Sequence, residues 1–445
     1  MIGAKLSRWT MSYFAAALVS LLAGEVLMAC GFGFPAAPVA APDTLALVHL
    51  ITVGWLSVAM SGALIQFVPV LTAATLYSER TPPFALALLV AGLASLVAGF
   101  LQLGGRVNSG LPLLTLAAIA LGGGFALIVW NLAMTLWKAR PLPPTARFVA
   151  LGLACAGATV LLGMAFAIVL DGGPGSPAFV AVALPIHVVA GLGGWLTITA
   201  AGVSYRLLSM FMLAPDVDRA RATTTLRWGA AAVSLTIAGG LAAVALHLPL
   251  EPVLAISLVI GLLAVALYGR DILTMYRTRK RKALELNGRM AAVAVANLAI
   301  SAALSAGLAL AGKLADGAGA IVFLLAFGWL SGLTLAKLYK IVAFLTWLEC
   351  FGPVLGKMPT PRVQDLVSEA SAGRWFVAFF AAVWFATGAL LIESGLGFRI
   401  GAAGMTLATW AIIAELIKTR RLARLPRGAN PMAAPHLLYS SAGTP

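Results

Sequence analysis

Three copies of one short element, Gly-Trp-Leu followed by Ser or Thr, mark off nearly equal parts of this chain of 445 residues. They are Gly54-Trp55-Leu56-Ser57, Gly194-Trp195-Leu196-Thr197 and Gly328-Trp329-Leu330-Ser331. Successive tryptophans stand about 140 and about 134 residues apart, and self-similarity at a near-fixed period constrains the architecture before any other signal. Each copy lies inside a long apolar run. A helical span needs about 20 apolar residues to cross about 30 Å of hydrocarbon. Twelve runs meet that need, at roughly 11–31, 44–74, 84–104, 110–137, 147–170, 179–213, 228–248, 253–275, 290–312, 317–347, 375–393 and 396–417. Twelve helices over three copies make four per unit, and the Gly-Trp element falls on the second, sixth and tenth. The predicted fold is therefore all-α: a polytopic membrane protein of about twelve transmembrane helices in three pseudo-threefold four-helix units, 1–140, 141–283 and 284–420. The segment 421–445 has the composition of a disordered tail.

Charged residues make up 10% of the chain, against about 25% in soluble proteins, so no globular domain is expected between the spans. The net charge of +15 suggests nucleic acid at first sight, but the placement of the charge argues against it. Lys and Arg collect in the cytoplasmic loops of membrane proteins. With the N-terminus inside, all basic residues except Arg106, Lys313 and Arg399 fall on the inner side or in inner helix ends. Both termini are thus predicted to be cytoplasmic, in a bacterial-type inner membrane. The basic stretches at 277–282 and 418–427 face anionic lipid. The first apolar run is too long for a cleavable signal and lacks a small-residue cleavage site. The long connection 351–374 carries a second half that reads as a short amphipathic surface helix. Cys30, Cys155 and Cys350 form no CxxC or CxxCH, which excludes covalent c-type haem attachment in this chain. Each cysteine reads as a small apolar packing residue.

The histidines are few, and their depth makes them informative. His49 lies a few residues into the second helix and His187 about eight into the sixth, about 7 and 12 Å below the outer edge at 1.5 Å per residue. His247 stands at the outer end of the seventh, before Leu248-Pro249, and His436 is in the tail. Polar groups at such depth are costly and mark function. Imidazole is a common metal and haem-iron ligand; the alternative is that each ring bonds a backbone carbonyl or sits at the head-group boundary. His49 precedes its Trp by six residues and His187 by eight, phases about 160° apart on a regular α-helix, so the two are not equivalent repeat positions.

A second polar set occupies the inner halves of the repeat helices. Gln66, Arg206 and Lys340 each follow their Trp by eleven residues, and Tyr205 and Tyr339 come one residue earlier. They read either as a polar lining for protons, a quinol head group or a small solute, or as side chains that snorkel to the inner surface. Glu25, Asn131 and Asn297 are further intramembrane polar residues whose partners the sequence does not reveal. Glycine is abundant in the spans, as at Gly122-Gly123-Gly124, Gly239-Gly240 and Gly191, Gly193 and Gly194. Small residues let helices approach closely; after His187 they also suggest room for a flat cofactor.

The twelve-helix pattern, with histidines in the outer halves of the second and sixth helices, resembles the catalytic subunit of haem–copper oxidases. The stretch from His49 to Leu71, HLITVGWLSVAMSGALIQFVPVL, is also similar to oxidase-subunit-I-like proteins and, more distantly, to NnrS-type haem- and copper-binding membrane proteins. The architectural resemblance covers about residues 10 to 418. It implies a b-type haem ligated by His49 and a copper or second haem ligand at His187, with His247 near a copper-ligand position and Arg399 in the loop that binds haem propionates. The family's Trp-x-His-Pro-Glu pattern is absent around His187, and 321–327 in the tenth helix is apolar where the family has haem ligands. Oxygen reduction at a binuclear centre is therefore not implied. The expectation is a haem-binding, possibly copper-binding, non-oxidase relative that works in electron transfer, nitric oxide or oxygen response, or haem and copper handling. Its partners would be the bilayer and, beyond it, respiratory-chain proteins or quinol. The rival expectations are a cofactor-free solute or ion transporter and a scaffold for a respiratory complex.

Overall fold

A computed structural model describes residues 7–425, 431 and 435–439; the remainder of the expected tail lies outside the described residues. Among the described residues, twelve helices are long and apolar enough to cross a membrane, and no strand forms. They are α1 Thr10–Ala29, α2 Pro42–Thr72, α3 Thr81–Leu103, α4 Leu113–Lys138, α5 Pro144–Leu170, α6 Pro177–Met212, α7 Arg219–Ala245, α8 Glu251–Thr278, α9 Leu286–Leu310, α10 Leu314–Val354, α11 Glu369–Leu391 and α12 Gly395–Arg420. The protein is an all-α, multi-pass membrane protein.

Several helices begin before their apolar runs because a polar residue caps them. The Asp218 carboxylate accepts from the Ala220 and Arg221 amides, so α7 starts in a polar turn well ahead of its apolar stretch. Ser176, Ser368 and Ser394 cap α6, α11 and α12 in the same way. The connection after α10 differs from the expected amphipathic helix. It holds one 3-10 turn, Val363–Leu366, and its last residues are already the start of α11. Pro353, Pro359 and Pro361 each lack an amide donor, and Ser368 opens the next helix too soon for another to form. Trp347 ties this connection down by donating to the Pro361 carbonyl at 2.6 Å. Arg362 bonds the Asp365 side chain and holds its carboxyl below the usual carboxylate range.

The chain forms two compact units. The first comprises Met1–Gln66, Leu284–Asn297 and Lys313–Pro445. Here α1 packs along α12 and α2, α11 pairs with α12, and α10 lies against both. The second comprises Phe67–Ala283 and Leu298–Gly312, with successive contacts α3 to α4, α4 to α5, α5 to α6 and α7 to α8. These packing units cut across the repeat-based division at 140 and 283, because α1 finds its partner near the other end of the chain.

The three Gly-Trp elements share a local structure that their composition does not announce. Each lies in a π-helical stretch: Leu50–Ser57 in α2, Val189–Ile198 in α6 and Leu324–Ser331 in α10. A fourth stretch, Leu235–Gly239, lies in α7. π turns widen the helix to i→i+5 bonding and occur mostly at functional sites. The Ser57 hydroxyl donates five residues back to the Thr52 carbonyl at 2.8 Å, and Ser331 to the Ala326 carbonyl at 2.7 Å. All three tryptophans are buried. The Trp55 indole donates to the Ser331 hydroxyl at 2.8 Å, which joins the first and third copies inside one unit.

Candidate functional site

His49 sits on the last turn of regular α-helix before the π stretch of α2, half-buried. Its Nδ1 lies 2.8 Å from the Leu45 carbonyl, one turn back. In the other unit, His187 of α6 is also half-buried, two residues before the π stretch Val189–Ile198. Its Nδ1 lies 3.0 Å from the Thr159 carbonyl of α5. A carbonyl oxygen only accepts, so Nδ1 carries the proton in both rings, and in neutral imidazole the lone pair is then on Nε2. That is the tautomer in which histidines ligate metals. The His187 ring also fills the space over Gly163, where a Cβ would meet Cε1 at 3.1 Å, and it packs 5.5 Å from the Phe166 ring.

The helical-phase argument therefore needs correction. A rotation of 100° per residue does not hold through π turns, so the 160° offset does not describe these helices. What the two histidines share is a position at the entry to a π stretch. In α10 the residue just before that stretch is Phe323, which packs on Phe327 at 4.8 Å and Phe398 at 5.4 Å.

The glycines after His187 serve helix packing. A Cβ at Gly194 would meet Cys155 of α5 at 2.6 Å, and one at Gly191 would meet Thr159 at 3.3 Å, so the α5 side of α6 leaves no slot for a flat cofactor. Cys155 and Cys350 are buried as expected, whereas Cys30 is exposed. His247 is exposed at the end of α7 with φ +56; its amide and that of Leu248 bond the Val244 and Ala243 carbonyls, so the residue closes the helix. Among the described residues no group of three or more His, Cys, Asp or Glu side chains gathers to hold a metal.

The inner polar set is divided between the units, and most of its members have a local partner. In the first unit, Gln66 Oε1 accepts the Ser7 amide at 3.0 Å and Lys340 pairs with Glu285 at 2.6 Å. The Tyr339 hydroxyl is buried, without a hydrogen-bond partner among the described residues. In the second unit, Arg206 pairs with Asp216 at 3.1 Å in an exposed bridge. The Tyr205 hydroxyl donates to buried Asp271 at 3.0 Å. Thr225 donates to the same carboxylate oxygen at 3.1 Å, and Arg270 reaches the other at 2.8 Å.

Asp271 is a residue that the repeat pattern misses, and so is Glu349, whose carboxylate pairs with Arg420 at 2.9 Å deep in the first unit. Both acids lie near helix ends, where charge reads as surface. The unassigned intramembrane residues all find partners. Glu25 accepts from Thr409 at 2.9 Å, and Asn131 donates to the Ser78 carbonyl at 2.8 Å. Asn297 donates to the Gly328 carbonyl at 3.1 Å inside the π stretch and accepts the Trp384 indole at 2.7 Å. Arg399, in the first turns of α12, donates through Nε to the Ala29 carbonyl at 3.1 Å.

No protein-family model matches this chain, and no curated protein matches it.

Proposed function

We propose that this membrane protein holds a b-type haem through His49, with His187 offering a second imidazole for haem iron or copper. The supporting observation is the hydrogen bond from each Nδ1 to a main-chain carbonyl, which sets the lone pair on Nε2. The residues fit a nitrogen-ligated group: each ring is half-buried within a span, held in one tautomer and placed where the helix widens into π turns. A haem so held supplies one-electron transfer or the binding of a diatomic gas. The chain's own part is to orient the imidazoles and to shield them from bulk water. Helix α10 brings Phe323 to the entry of its π stretch, so the reading excludes the ligand set of an oxygen-reducing centre. Electron partners in this reading are respiratory-chain proteins or a quinol in a bacterial-type inner membrane. The basic residues support cytoplasmic termini.

The test is an absorption spectrum of protein purified in mild detergent from haem-replete cells. A Soret band is expected in the wild type. His49→Ala should abolish it, and His187→Ala should abolish or shift it. Wild-type protein without haem or copper would sink the proposal.

A further inference from the structure

We infer that the first unit carries a specific site for a phospholipid head group, built on Arg399. The inference stands apart from the haem reading. A cavity of about 250 Å3 opens where α1 ends and α12 begins, lined by Gly31, Pro35, Leu396, Phe398 and Arg399 among others. Its floor is apolar: Phe398 is 2% exposed and packs on Phe323. Arg399 is the one ionisable side chain in the lining.

The local geometry positions that charge. Gly31 turns the chain with φ +80 just after α1, and a Cβ there would stand 3.3 Å from both Cδ and Nε of Arg399. The bare glycine lets the arginine lie across the end of α1. Nε is then anchored on the Ala29 carbonyl at 3.1 Å, one of the carbonyls that a helix end leaves without an intrahelical donor. The two terminal guanidinium nitrogens have no hydrogen-bond partner among the described residues. A guanidinium fixed by Nε presents its other edge as a fork that matches a phosphate oxygen pair.

Position and size select the ligand. Ala29 and Gly395 are the ends of spanning helices, so the cavity lies at the level of lipid head groups. It is smaller than the roughly 300–1,000 Å3 of a site that encloses a drug-sized ligand. A phosphodiester and its first carbons suit it; a whole macrocycle does not. Leu396 and Ile400, 69% and 56% exposed and one turn apart, continue an apolar stripe along which an acyl chain can run. A simple snorkelling arginine would need neither the anchored Nε nor the apolar recess.

The experiment is native mass spectrometry of protein purified in mild detergent and titrated with phosphatidylglycerol. Wild type is expected to hold one phospholipid more tightly than the non-specific ladder. Arg399→Gln should weaken that one site about tenfold or more, since a charge-assisted hydrogen bond is worth about 1.5–3 kcal/mol. Arg399→Lys keeps the charge without the fork and should fall between; it also serves if the Gln variant fails to fold. Lys313→Gln, a cation outside the lining, should leave the site intact. Equal retention in wild type and Arg399→Gln overturns the inference. Equal loss in Lys313→Gln overturns it too, because the attraction would then be diffuse. A changed haem spectrum in Arg399→Gln with lipid retention unchanged would mean that the anion is a haem propionate. The two readings fail separately: His49→Ala should remove haem absorbance and leave the lipid bound.

Discussion

Single polar side chains inside the spans serve as ties whose strength follows from how many groups they satisfy. Asn297 is the clearest case, because it pairs with both the Gly328 carbonyl and the Trp384 indole. Asn297→Ala strands an acceptor in the π stretch and a donor on α11. It should lower stability by about 1–2 kcal/mol, near the upper range for intramembrane hydrogen bonds. Trp384→Phe removes only one of the two bonds, at a half-exposed ring, and should cost less; reversible unfolding in mixed micelles orders the two. Trp55→Phe, which frees Ser331 from its indole partner, should fall near Trp384→Phe. The sequence shows such residues plainly, because a lone Asn or Glu in an apolar run stands out. It does not show their partners. Glu25 meets a threonine 384 residues away, and Asn297 meets a main-chain carbonyl that no side-chain pattern can flag. The ring nitrogens of His49 and His187 are hidden for the same reason, since the Leu45 and Thr159 carbonyls set their tautomer.

Each helix was legible from its run of apolar residues, because hydropathy reports length and depth directly. What hydropathy cannot report is helical pitch, since π and α turns bury the same residue types. The Gly-Trp elements are visible as a repeat, yet their common π geometry follows from packing and from the i−5 hydroxyl bonds of Ser57 and Ser331. A π stretch accommodates one residue more than an α-helix of the same span. Deleting Leu324 should therefore restore α geometry in α10 and rotate everything after it by about 100°. Lys340 would lose Glu285, and the Glu349–Arg420 pair would separate. The expected result is loss of monodisperse protein on size-exclusion chromatography. Deleting Gly110, an exposed loop residue with open space around its Cα, should leave the profile unchanged. Equal profiles for the two deletions would mean that the π stretch does not set the register of α10.

At the scale of the molecule, the first unit draws both described ends of the chain together. Ser12 donates to the Leu438 carbonyl, and Arg420 bonds the His436 carbonyl as well as Glu349. The Glu349–Arg420 pair is 2% and 4% exposed, so Glu349→Ala would leave a buried guanidinium without its counter-ion and should cost about 3–5 kcal/mol. Arg289→Ala, which breaks an exposed pair with Glu369, should cost about 0–1 kcal/mol. The orientation of this unit in the bilayer is what the charge distribution predicts and packing alone does not set. Basic residues flank the start of α1 and fill the α8–α9 connection, which assigns those ends to the cytoplasm and the end of α1 to the opposite side. Cys30 makes that assignment measurable without engineering. It is exposed just past α1, whereas Cys155 and Cys350 are buried and should stay silent. A membrane-impermeant maleimide added to right-side-out spheroplasts should label the native protein at Cys30, and Cys30→Ser should abolish the signal. Labelling that appears only after the membrane is opened would invert the topology and put the Arg399 cavity on the cytoplasmic leaflet.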